Sequence, residues 1–125
     1  MLESRKEVLF DVGANVGIYS IYHCLLNGGN AVAFEPSFFN LRVLMKNVNV
    51  NKCEKLITII SNPLSDNDGI AEFKNGNTQE GGALSAFGVN YGVDGKSLGK
   101  AASVNVMGFK LDTLRIWSFL KLILI

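Results

Sequence analysis

A chain of 125 residues with only two cysteines and one histidine lacks the ligands for an ordinary zinc site. Cys24 and Cys53 have no Cys-x-x-Cys partner, and the residue type is usually buried, so both are expected to be buried free thiols. An excess of charge of one sign is also missing. Twelve Lys/Arg face eleven Asp/Glu, leaving a formal net charge of +1, and the basic residues form no patch. This removes the electrostatic footprint of a nucleic-acid binder. Long apolar runs are absent as well. The start, Met1 to Glu7, mixes charges and has no signal-peptide core. The run from Trp117 to Ile125 contains Lys121 and is much shorter than the ~20 residues of a spanning helix. The expectation is a soluble, cytoplasmic protein with no nucleic-acid, membrane or metal partner.

What is present is apolar residue in quantity, 48% against 18% charged, enough for one core, so residues 1–125 are read as a single domain. Val8-Leu9-Phe10, stopped by Asp11, fits a strand buried on both faces. Ile18, Ile21, Tyr22 and Leu25 then take helical spacing, and Gly28-Gly29 end the helix. Ala31 to Phe34 is a second strand. Ser37 can cap a second helix whose stripe is Phe38, Leu41, Met45 and Val48. Leu56 to Ile60, rich in β-branched residues, is a third strand. Strands separated by helices imply a doubly wound, mostly parallel α/β sheet.

Beyond residue 65 the pattern changes. Asp66-Asn67-Asp68-Gly69 is a turn signal, followed by a short antiparallel strand from Ile70 to Lys74. Nine of the thirteen glycines lie between Asp66 and Lys110, and 75–100 reads as a glycine-rich loop, either a lid or disordered. Ser103 to Met107 alternates weakly as an edge strand would, Leu111 to Leu114 suggests a helical turn, and Ser118 to Ile125 suits a fourth buried strand.

The chemistry centres on Asp11-Val12-Gly13-Ala14-Asn15-Val16-Gly17, between the first strand and the first helix. Glycines there let the backbone approach a ligand closely, in the crevice where open α/β sheets bind. The spacing departs from Gly-x-Gly-x-x-Gly: Asn15 stands where the second glycine belongs, and Gly17 comes one position early. Asp11 at the loop entrance repels a pyrophosphate but accepts hydrogen bonds from an ammonium group. S-adenosylmethionine, with an ammonium, a carboxylate and a sulfonium, suits the loop better than NAD. Glu35, ending the second strand, is placed to accept both ribose hydroxyls of an adenosine cofactor. His23 falls on a helix face with Ser20 and Asn27 that reads as solvated. Asp66, Asp68 and Glu72 read as a turn with solvated carboxylates, Gly95-Lys96-Ser97 as a chance match to a phosphate loop, and Trp117 and Phe119 as core or interface residues.

Several motifs in fixed order add to this reading. Asp11 to Gly17, Phe34-Glu35-Pro36, Leu44-x-x-Asn47-x-x-x-Asn51, Asn62-x-Leu64-Ser65-Asp66-x-x-Gly69 and Leu111-Asp112-Thr113-Leu114 together resemble the FkbM-type methyltransferases. That resemblance, from about Val8 to Leu114, implies a Rossmann-like, S-adenosylmethionine-dependent enzyme that methylates a hydroxyl on a sugar or other small molecule. It implies that Asp11, Gly13, Ala14, Asn15 and Gly17 hold the methionine end, Glu35 the ribose, and Asn62 or a neighbour the adenine. Pro63 departs from the family's usual alanine. Members continue into a strand ending Lys-Ile-Asp-Val-Glu-Gly, where this chain has Ile123 in place of the acid, so it is expected to be an incomplete, cofactor-binding half. No catalytic base is assigned. Two other readings stand beside this one. One is a shortened, non-catalytic protein acting through contacts of its apolar run at 119–125. The other is an NAD-dependent oxidoreductase.

Overall fold

The computed structural model describes residues 7–75, 85–87 and 102–114. The expected strand at 118–125, Trp117 and the Gly95-Lys96-Ser97 match lie outside these residues. The chain divides into two compact units between Ser61 and Asn62.

The first unit runs β1 (Leu9–Val12), α1 (Ile18–Asn27), β2 (Ala31–Phe34), α2 (Phe38–Val50) and β3 (Ile57–Ile60). Its strands are parallel in the order β1-β2-β3, with Val12 level with Phe34 and Phe34 level with Ile60. This is the helix-interleaved parallel sheet that the change of hydrophobic period predicts, with a Rossmann-like start. β1 runs through Asp11 to Val12 instead of stopping before it. Leu9, Ala31, Ala33, Ile57 and Ile59 alternate onto one face and meet Ile21 and Cys24 of α1 and Leu41, Leu44 and Val48 of α2. Burial of a residue such as Leu44, 0% exposed, contributes about 1.5–3 kcal/mol.

Both helix faces sit differently from the stripes that hydrophobicity suggests. On α1 the buried residues are Ser20, Ile21 and Cys24, while Ile18, Tyr22 and Leu25 are exposed. On α2 they are Asn40, Leu44 and Val48, with Phe38 and Met45 exposed. In each case a polar residue, Ser20 or Asn40, turns inward to a carboxylate. Ser37 is the residue before α2, but its hydroxyl does not cap the helix. Its backbone N–H instead donates to Glu35. Cys24 and Cys53 are free and buried, and burial pushes both thiols up.

The second unit is an antiparallel sheet in the order β5-β4-β6, built from β4 (Gly69–Asn75), β5 (Ser85–Phe87) and β6 (Ala102–Gly108). β5 falls within the glycine-rich stretch 75–100. The segments at 62–69 and 107–114 are joined directly. Asn62 donates from its amide to the Met107 carbonyl at 3.1 Å. Ser65 N–H donates to the Phe109 carbonyl at 2.9 Å, and Phe109 N–H to the Pro63 carbonyl at 3.0 Å. Asp68 accepts from Lys110 N–H at 2.8 Å and from the Thr113 hydroxyl at 2.8 Å, which fastens the helical turn at 111–114.

These two donors, the Lys110 N–H first and then the Thr113 hydroxyl, hold the Asp68 carboxyl below its ordinary value of 3.8. The folded chain therefore favours the carboxylate. Its contribution to stability is complete above that value and is lost as pH falls through the lower folded one. Thermal melting should be flat in this contribution above about pH 5 and fall below about pH 4. Asp68→Asn should remove that part of the acid dependence, and an unchanged acid limb in the variant would contradict the assignment.

Candidate functional site

The loop between β1 and α1 is stitched to the end of β2. Gly13 N–H and Ala14 N–H both donate to the Phe34 carbonyl, at 2.9 and 3.0 Å. Gly17 N–H donates to Ala14 O at 2.9 Å, and Asn15 N–H to Glu35 Oε1 at 3.0 Å. Gly13 (φ 75°), Asn15 (φ 54°) and Gly17 (φ 92°) all take left-handed backbone, which explains why glycine and asparagine stand at these places.

Helix α2 supports the loop from behind. Asn47 donates from its amide to the Val16 carbonyl at 2.8 Å, and Asn51 donates to the Asn47 carbonyl at 2.8 Å. A β-carbon at Gly17 would be driven into the Leu44 side chain. The Leu44-x-x-Asn47-x-x-x-Asn51 spacing is thus a mould for the glycine loop. At Gly13 the reverse holds, since a β-carbon would meet nothing within 4 Å. The loop is open on that side.

Asp11 is buried in β1, and Ser20 donates its hydroxyl proton to Asp11 Oδ2 at 2.7 Å. Ser20 is therefore no part of a solvated helix face. Sequence reading misses it because a small polar residue inside an apolar helix stripe looks neutral until its partner nine positions earlier is known. Glu35, also buried, accepts from Asn15 N–H on Oε1 and from Ser37 N–H on Oε2, both at 3.0 Å. The Asn40 amide adds a longer contact of 3.4 Å to Oε1. His23 turns one ring nitrogen to the Glu7 carbonyl at 3.0 Å and the other to the Asn27 amide at 3.4 Å. Both contacts are to residues of its own chain, a structural arrangement.

The first unit therefore brings together Asp11, Gly13, Ala14, Asn15, Gly17 and Glu35, at the carboxyl ends of adjacent parallel strands. Asn62 belongs to the second unit, where its amide is engaged with Met107. A model of the methyltransferase FkbM domain matches residues 11–122. The chain belongs to the FkbM methyltransferase family. A search of curated proteins and one of solved structures gave no match.

Membership of the FkbM methyltransferase family implies S-adenosylmethionine as methyl donor and an acceptor substrate. The residues present fit such a donor. Two buried carboxylates flank a loop whose Gly13 side is open, which suits a ligand with a cation and hydroxyl groups. The same FkbM loop is poorly made for a pyrophosphate. Four of its five N–H groups, those of Gly13, Ala14, Asn15 and Gly17, are already spent within the chain. Anion-binding loops keep those donors free. Among the described residues no helix is long and apolar enough to cross a membrane.

Proposed function

We propose that this FkbM domain moves the methyl group of S-adenosylmethionine to a hydroxyl of a small molecule or sugar. The pair of buried carboxylates at the ends of β1 and β2, either side of a loop whose N–H donors are mostly spent within the chain, carries the reading. Asp11 would accept from the ammonium of the cofactor, steadied by Ser20. Gly13, Ala14, Asn15 and Gly17 would shape the wall along its methionine end, and Glu35 would accept from the ribose. Bound there, S-adenosylmethionine supplies an electrophilic methyl group on a sulfonium. This chain's residues would set where that end of the site lies. Positioning contributes much of the rate in such an in-line displacement. A hydroxyl as acceptor rests on the resemblance to the family, and no base is assigned.

The reading is tested by incubating the chain with methyl-labelled S-adenosylmethionine and matched acceptors that carry a hydroxyl, an amine or a thiol on the same carbon skeleton. Label transferred to the hydroxyl compounds above the others is the expected result. Preference for the amine or thiol would retain methyl transfer and overturn the choice of acceptor.

A further inference from the structure

The Glu35 carboxylate is 6% exposed and already accepts three N–H groups from its own chain. A carboxylate offers about four acceptor positions. By that count one position is open, and it lies on Oε2, since Oε1 takes both Asn15 and Asn40. A ribose brings two neighbouring hydroxyl donors, one more than the open position can receive.

The three resident donors are not equally fixed. Asn15 N–H and Ser37 N–H are backbone groups at 3.0 Å, one inside the stitched loop and one at the start of α2. The third is a side-chain amide at 3.4 Å on a residue 2% exposed, and a hydrogen bond of that length is weak. A second hydroxyl gains an acceptor on Oε1 only at the expense of this contact.

We propose that Asn40 sets how this site reads the ribose. Glu35 takes one hydroxyl on Oε2 at full strength, and Asn40 holds the remaining place on Oε1 against the other. The inference rests on the reading that Glu35 faces the ribose of S-adenosylmethionine. Asn40 acts through Glu35, as a positioning residue. It contributes a difference between two hydroxyls, an effect that a purely structural amide would not produce.

The experiment is calorimetric titration of the full chain with S-adenosylhomocysteine and with its 2′-deoxy and 3′-deoxy analogues. The wild-type chain should lose roughly tenfold in affinity for one deoxy analogue and less than about threefold for the other. In Asn40→Leu, of similar volume and without the amide, Oε1 is released. The analogue that was tolerated should then also fall roughly tenfold below S-adenosylhomocysteine. Asn40→Ser supplies the same ratio if the leucine variant does not fold, because each comparison is made between ligands on one protein. Equal losses for both analogues in the wild type, or an asymmetry unchanged by removing Asn40, would overturn the proposal. If neither analogue loses affinity while S-adenosylhomocysteine binds, Glu35 does not face the ribose, and the underlying reading fails with it.

Discussion

Asp11→Asn should weaken S-adenosylmethionine binding by about two orders of magnitude, roughly 3 kcal/mol, with little change in melting temperature. Asp11 is 8% exposed, and its observed partner is the Ser20 hydroxyl on Oδ2. An asparagine oxygen can still accept that proton, so the β1–α1 contact survives the change. What disappears is the negative charge opposite the ammonium of the ligand, and the new amide nitrogen offers a donor to another donor. Breaking one side of a buried charge pair is costly because the other side is left uncompensated. Calorimetric affinity beside a thermal melt separates the two effects. An affinity within about threefold of wild type would remove Asp11 from the site.

The second large effect separates two glycines of the same loop. Gly17→Ala should cost about 2–5 kcal/mol of stability, combining a left-handed backbone of φ 92° with a methyl forced against the fully buried Leu44. For a small domain that lowers the melting temperature by roughly 10 °C or more. Gly13→Ala carries the strain of φ 75° but meets no neighbour within 4 Å, so about 1–2 kcal/mol is expected. Its methyl points into the open side of the loop, where the cofactor is proposed to lie. Gly13→Ala should therefore lose more affinity than stability, and Gly17→Ala the reverse. Melting curves and titrations of the two variants check the crossing pattern. Equal stability losses in both would contradict the mould that Leu44 forms behind Gly17.

The first unit was legible because its period changes from strand to helix and back within about 50 residues, with glycines at the joints. The helix faces were misread for a physical reason. α1 is apolar nearly all round, with Ile18, Tyr19, Tyr22, Leu25 and Leu26 exposed, so hydrophobicity could not choose its buried side. Ser20, bonded to Asp11 at 2.7 Å, lies on the buried side, and such a contact is visible only when the partner is in place. Asn47 belongs to a motif that sequence alone could quote but not explain, since its partner Val16 is thirty-one positions away. In the second unit the Asp66–Gly69 turn and the alternation near Ser103 announced β4 and β6. β5 lies where glycine spacing hides any period. Of the proposed site, the glycine loop and its two acids stand out in the sequence, whereas the bonds from Ser20 and Asn47 that hold them do not.

A cofactor site in which four of five loop N–H groups are spent and both flanking acids are buried should distinguish ligands by charge. Titration of the purified chain with S-adenosylmethionine, with NADH in parallel, tests this most directly. The account predicts saturable binding of S-adenosylmethionine and no response to NADH. A folded chain that ignores S-adenosylmethionine, or binds NADH equally well, would contradict it.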